Sequence, residues 1–391
     1  MEINTREPAP PSDRYTPDGD AGVESRIDCD QQLIAAAVMA AIPAQHFRAL
    51  VLIGGYARGE GGFLHVNGKP EPYNDYDYFV VVGAMNRAAV QALKSTLLEL
   101  GHVLTARVGV EVDLAVLKEE SLPGAEYSLM HAEMLWGHRV VAGDAHILDV
   151  MPRMPFARLG LAEFTRLMLN RGSLLLMNSN ALATGSCGEP QQREQFMKYL
   201  FKAVLACGDA RLAAAGQYHP SYNEKLQRLL RLQWEGKESF LVQYQMALQA
   251  KFHPAYEQYA AADLAQCLQQ VRDLWLQTLT ELESVRLGAH AGSWAEYASP
   301  AVCKGQSAPG LRGLVRNVGV TVRDYGPLEL FTNLRWSLRY PRERLISTLP
   351  GLLAAPGLVH DSQLIAALGL TTIVGRQEMT RSYLEQWHRY A

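Results

Sequence analysis

The sequence predicts an α+β protein: a small mixed-sheet domain followed by a mainly α-helical bundle region. Three observations carry that expectation. Short apolar runs bounded by glycine or acidic residues cluster before residue 120, as at Ala49 to Ile53 and Tyr76 to Val82. Helical and strand periodicities alternate through the same stretch. Beyond about residue 155 the strand pattern gives way to long segments with apolar residues at threes and fours.

In chain order, residues 1 to 28 hold Pro8, Pro10, Pro11 and Pro17 among charged residues and read as a loose tail. Gln31 to Ile42 is a helix, with Leu33, Ile34, Val38 and Met39 at helical spacing and Pro43 as its stop. Ala49 to Ile53 is a buried strand, and Tyr56 to Gly59 a short helix or turn. Gly61 to Tyr73 reads as a loop whose first part, Gly61 to Lys69, has the makings of a small hairpin. Tyr76 to Val82 is a strand, Asn86 to Leu100 a helix, and Val108 to Leu117 a further alternating strand.

The helices Leu161 to Ala183, Gln191 to Ala215 and Tyr256 to Val285 form the bundle, with Gly216 to Ser221 a polar break. A third section after Gly288 holds a strand at Gly319 to Tyr325. Helices follow near Leu328 to Leu338, Ser362 to Leu370 and Gln377 to Tyr390. The expected division is therefore a tail (1–28), a sheet-bearing domain (29–152), a helical bundle (153–290) and a mainly helical C-terminal region (291–391).

Length and composition frame the functional classes. With 391 residues, 48% hydrophobic and 20% charged, the chain has the proportions of a globular protein of two or three domains. A net charge of −3 argues against wholesale affinity for nucleic acid. The five cysteines are scattered and form no Cys-x-x-Cys, which speaks against a zinc site or a disulfide framework and suits a reducing compartment. The eleven histidines show no metal-ligand spacing, His131 and His138 included. The N-terminus lacks a signal-peptide core, and no run of about 18 apolar residues occurs. A cytoplasmic protein without a membrane partner is the expectation.

The chemistry gathers between Val51 and Leu117. On a strand, residues i and i+2 share a face about 6.5–7 Å apart. Asp75 and Asp77 therefore project together, as do Glu111 and Asp113, and neighbouring strands would bring three or four carboxylates to one spot. A divalent cation explains such a concentration of charge, since Mg²⁺ takes oxygen ligands and is shared between carboxylates and phosphates. Two such ions about 3.5–4 Å apart activate an attacking oxygen and stabilise a leaving pyrophosphate. A capping Asp75 and a solvated Asp77 are the ordinary alternative, which the third acidic strand weakens.

Gly54-Gly55 ends the apolar run from Val51, where backbone N–H groups can hold phosphate oxygens that a side chain would block. The spaced glycines of a dinucleotide fold and the Gly-Lys-Ser/Thr of a P-loop are both missing.

Ile53-Gly54-Gly55, Asp75-Tyr76-Asp77-Tyr78 and Val112-Asp113-Leu114 occur in that order, and Ala57-Arg58-Gly59-Glu60 continues the first. This pattern resembles the DNA polymerase β-type nucleotidyltransferase superfamily over residues 30 to 120, under a third of the chain. The resemblance implies that Gly54 and Gly55 hold a triphosphate. It implies that Asp75 and Asp77 bind two Mg²⁺ ions, with Mn²⁺ as a substitute, and that Asp113 binds the catalytic ion and helps activate the acceptor hydroxyl. The gap of about twenty residues between Gly55 and Asp75 is longer than that family's usual spacing.

A following helical bundle is also similar to kanamycin nucleotidyltransferase-like enzymes. There the segment Phe196-Met197-Lys198-Tyr199-Leu200-Phe201-Lys202 offers Lys198 and Lys202, one turn apart, as cations for the triphosphate. Two solvated lysines are an equal alternative, and Asp209 and Tyr218 are weaker candidates. Arg58 is either a nucleotide contact or, paired with Glu60, a brace for the turn.

Residues 304 to 345 carry eight Lys/Arg against three Asp/Glu, read as a solvated basic face ahead of a nucleic-acid surface. The expected partners are a nucleoside triphosphate, ATP foremost, and an acceptor that is a small molecule or protein sooner than nucleic acid. RNA-end modification and nucleotide sensing without catalysis are the competing readings.

Overall fold

The computed structural model describes residues 12–18, 20–287, 294–300, 304, 310–354, 362–370 and 375–390. The fold is α+β, with a small mixed sheet near the N-terminus and helices after it. The chain divides into two compact units. One comprises residues 1–159, 219–227 and 248–255, the other 160–218, 228–247 and 256–391. The section expected after residue 290 thus lies within the second unit.

The first unit opens with α1 (Ala21–Ala41), ten residues ahead of the expected start. Asp20 caps it by accepting from the N–H groups of Gly22 and Val23, and Val23 and Ile27 extend the buried stripe backwards from Ile34 and Val38. Residues 21–28 are therefore helix rather than tail. Residues 12–18 are also held: the N–H groups of Tyr15 and Thr16 donate to the Glu24 carboxylate at 2.7 and 2.9 Å, and the Tyr15 carbonyl accepts from Gly61 at 2.9 Å. Residues 1–11 of the expected tail lie outside the described residues.

Next come β1 (Phe47–Ile53), α2 (Gly54–Ala57), and a hairpin of β2 (Phe63–Val66) and β3 (Lys69–Pro72). The hairpin turns on Asn67-Gly68, both at positive φ, as a two-residue turn between twisted strands requires. β4 (Tyr76–Val82) matches the expected bounds.

α3 (Arg87–Val108) runs a further two turns past Leu100, because Leu104 and Val108 keep the buried spacing of Leu93 and Leu97. Gly109, at φ 82°, ends it in the left-handed conformation. Val108 to Glu111 is accordingly not strand, and β5 spans Val112–Lys118. α4 (Leu129–Trp136) and β6 (Arg139–Gly143) complete the unit's regular elements before residue 159; the sequence reading identified neither.

The sheet order is β5-β4-β1-β6, with β4 and β5 parallel and the other pairs antiparallel. Alternation divides its side chains between two cores. Leu50, Leu52, Tyr76, Tyr78 and Val80 pack with α1 and α3 on one face. Ala49, Val51 and Val81 pack with Leu122, Met134 and Leu148 on the other. Burying about 25 cal/mol of stabilisation per Å² of apolar surface on each face fixes the register, since a one-residue slip would exchange the faces.

The chain continues through α5 (Leu161–Ala183), α6 (Pro190–Ala214), α7 (Tyr222–Arg231), α8 (Lys237–Phe252) and α9 (Leu264–Leu287). In the second unit α5, α6 and α9 pack together. Gly172 on α5 gives room to the Trp275 indole of α9, whose N–H donates to the Met168 carbonyl at 3.1 Å.

α10 (Trp294–Tyr297), α11 (Leu311–Tyr325), α12 (Glu329–Thr332), α13 (Leu334–Ser337), α14 (Pro341–Ala354), α15 (Ser362–Ala367) and α16 (Arg376–Tyr390) follow. The strand expected at Gly319 to Tyr325 is part of α11. Its valines favour strands in isolation, but Asn317 and Thr321, one helical turn apart, are buried and donate to the carbonyls of Leu338 and Ser337. Those contacts outweigh a propensity worth a fraction of a kcal/mol per residue. Among the described residues no helix is long and apolar enough to cross a membrane.

Candidate metal centre

β4 and β5 run side by side in parallel, and their register sets Tyr76 opposite Val112 and Asp77 opposite Asp113. Tyr76, Tyr78 and Val112 point into the core beneath α1 and α3. Alternation then sends Asp77 and Asp113 to the other face, and Asp75, two residues before Asp77, follows them. One carboxylate oxygen from each of Asp75, Asp77 and Asp113 lies within 4.8 Å of the others. Glu111, like Asp75 one residue ahead of its strand, is not part of this group.

Three carboxylates this close repel one another. Partial burial, and then the charge of Asp75, push the Asp113 carboxyl above the ordinary range for aspartate. A divalent cation would satisfy the set, since all the donors are hard oxygens and their charges sum to more than one cation neutralises.

The Gly54-Gly55 turn stands against the same group. Gly54 has φ 76°, where a side chain is strained, and a Cβ there would sit 2.7 Å from Asp77 Oδ2. A Cβ on Gly55 would come within 3.2 Å of the Glu60 carbonyl. The turn therefore brings bare backbone beside the acidic group.

Tyr56, which the sequence reading passed over, ties the turn to the acidic strand. Its buried hydroxyl donates to the Gly62 carbonyl at 2.7 Å and accepts from the N–H groups of Tyr73 and Asn74 at 2.9 and 3.1 Å. The Asn74 side-chain oxygen accepts from the Gly62 N–H. These bonds close the hairpin insertion at its base and fix the backbone immediately before Asp75. Gly61 has no room for a side chain beside the Tyr56 ring. The clue in the sequence was Tyr56 following a double glycine; its partners lie up to eighteen residues away and are set only by folding.

Arg58 is engaged by carboxylates. Its side chain is partly buried, with Nε 3.8 Å from Glu60 and an Nη 3.4 Å from Glu133. Glu60, which is buried, accepts from the Tyr222 N–H at 2.7 Å, and the buried Lys225 ammonium lies 3.8 Å from Glu133. Arg58 thus braces the turn, the alternative raised beside its nucleotide role. The segment 219–227 that Glu60 and Glu133 hold carries no sequence signal linking it to residue 60.

Lys198 and Lys202 belong to α6 in the second unit. Lys198 pairs with Glu194 at 3.2 Å and lies 5.9 Å from the Tyr256 ring centre, and Lys202 is exposed one turn on. Asp209 is buried in the same helix, and Tyr218 is buried edge-on against Phe164. The basic stretch is not one continuous face among the described residues. Lys304 and Arg344 are buried, Arg344 paired with Glu329, whereas Arg312, Arg316 and Arg335 are exposed.

Comparison with known proteins adds no relative: no protein-family model, curated protein or solved structure matches the chain.

Proposed function

We propose that the protein is a Mg²⁺-dependent nucleotidyltransferase that moves a nucleoside monophosphate, AMP from ATP foremost, onto a hydroxyl of a small molecule or protein in the cytoplasm. The observation that carries this reading is the convergence of Asp75, Asp77 and Asp113 within 4.8 Å, beside a glycine whose Cβ would strike Asp77. The order of Gly54-Gly55, Asp75-x-Asp77 and Asp113 supports it through the resemblance to polymerase β-type enzymes. The cysteines Cys29, Cys187, Cys207 and Cys267 are free thiols, in keeping with a reducing compartment.

In the proposed reaction the acceptor oxygen bonds to the α-phosphorus as the bond to the bridging oxygen breaks, and pyrophosphate leaves with that electron pair. Asp75, Asp77 and Asp113 would hold the divalent ions. Those ions would offset charge on the phosphates and lower the pKa of the acceptor hydroxyl. Asp113 would help activate the acceptor hydroxyl through the ion it holds. Gly54 and Gly55 leave space for the triphosphate against the backbone, and Tyr56 holds Asp75 in position for its share of the metal.

Incubation with each α-labelled nucleoside triphosphate and Mg²⁺, against separate pools of small molecules, protein and tRNA, identifies donor and acceptor together. Label in the small-molecule or protein pool is expected. Label in tRNA would select RNA-end modification, and ATP held intact with every pool would select a sensing module. Full turnover by Asp113→Ala would end the mechanism.

A further inference from the structure

α11 is inverted with respect to the rest of its unit. Its polar residues Asn317 and Thr321 pack inward, while Leu311, Val315 and Val322 stand on the outside. Leu311 is 80% exposed and Val315 67%, and on the adjoining α12–α13 segment Leu328 and Phe331 are 75% and 84% exposed. α12 and α13 pack against α11. Scattered single apolar residues on a surface need no explanation, but Leu311, Val315 and Val322 fall within about 40° of one another round α11 and form an exposed apolar stripe.

The exposed charges on α11 and α13 have one sign. Arg312 and Arg316 fall about 100° and 140° round the helix from Leu311, along one border of the apolar stripe, and Arg335 lies on α13. All three are exposed. Both carboxylates of the segment are withdrawn into ion pairs: Asp324 with Arg323 and Arg389, Glu329 with Arg344.

We propose that the α11–α13 face docks on an anionic lipid surface, with its aliphatic and aromatic side chains entering the headgroup boundary and the bordering arginines meeting lipid phosphates. Leucine, valine and phenylalanine on one side with arginine along the rim is the composition of an interfacial helix. Side chains exposed by 75–84% stand proud instead of lining a groove, and a fluid apolar phase accepts them without a shaped complement. The proposal replaces the sequence expectation of no membrane partner and does not depend on the nucleotidyl-transfer reading.

The test is co-sedimentation of the full chain with vesicles of phosphatidylcholine alone or mixed with phosphatidylserine. Binding to the mixed vesicles is expected, weakening with added salt and by about fivefold for each of Arg312→Gln and Arg316→Gln. Phe331→Ser should also weaken it, with far-UV circular dichroism unchanged for all three variants. No binding to the mixed vesicles overturns the proposal, as does undiminished binding by the doubly substituted arginine variant. A concentration-dependent dimer that Val315→Asp abolishes would assign the face to a second copy and overturn it too.

Discussion

Asp77 and Asp113 are register partners across the parallel β4–β5 pair, so the acidic centre is built on two adjacent strands of one rigid sheet. Sites on strands are held more tightly than sites on loops. Replacing either residue by Ala is expected to cut pyrophosphate release by at least about a hundredfold, the scale of losing one preorganised charge-stabilising group. The far-UV circular dichroism spectrum should not change. Retention of more than a tenth of wild-type release by both variants would remove the centre from the chemistry.

Gly54→Ala should destabilise the protein by about 1–3 kcal/mol, because alanine is strained at φ 76° and its methyl would meet Asp77 Oδ2. Mg²⁺ affinity should fall with it, measured by calorimetry on protein that is still folded. Gly55→Ala, whose Cβ meets the Glu60 carbonyl less closely, should cost less stability.

Tyr56→Phe removes one hydroxyl that serves three backbone groups. Leaving buried partners unsatisfied should cost about 1–3 kcal/mol in urea denaturation. Turnover should fall further than occupancy of the folded state accounts for, because the segment before Asp75 loosens. A variant with wild-type kinetics would reduce Tyr56 to a purely structural role.

The raised pKa of Asp113 sets two pH trends. Its charged form is the costly one in the folded, metal-free protein. Its contribution to stability therefore improves as pH falls through its folded value toward the ordinary carboxylate range, the reverse of a salt-bridged aspartate. Asp113→Asn should accordingly not lower the melting temperature at neutral pH. A cation competes with the proton for the same oxygens, so Mg²⁺ stabilisation should shrink across that acid range. At neutral pH and a hundredfold excess over Kd it should amount to about 2.7 kcal/mol, and it should be lost in Asp113→Asn.

The thiols should separate by reactivity. Cys29 is exposed, whereas burial pushes the Cys207 thiol up to about 12. A thiol reagent at neutral pH should modify Cys29 in the native protein and Cys207 only after unfolding, read by mass spectrometry of peptides. Equal native labelling would contradict the packing of α6.

Much of the first unit was legible because strand chemistry is local. The period-two alternation of Tyr76 to Val82 places Asp77 opposite the tyrosines in any sheet, and Asp75 meets it from just ahead of the strand. The start of the third strand misled for a related reason: alternation runs back through Val110 and Val108, but Gly109 is a helix stop, and only the reach of α3 shows that the strand starts at Val112. The valines of α11 misled because their strand preference is weak beside the buried bonds of Asn317 and Thr321. α4 and β6 went unread because their apolar pattern is short and broken by Gly137.

By itself the sequence determined the residue types of the acidic centre and their order around a glycine turn, since those depend on spacing along one chain. Tertiary structure alone decided that carboxylates from separate strands meet, because the parallel pairing of β4 with β5 sets residues 77 and 113 side by side. It also decided that Tyr56 would anchor the approach to Asp75, and that Arg58 would be drawn to Glu60 and Glu133. Those partners are distant in sequence, and buried polar groups find them only when the packed core removes water as the competing ligand.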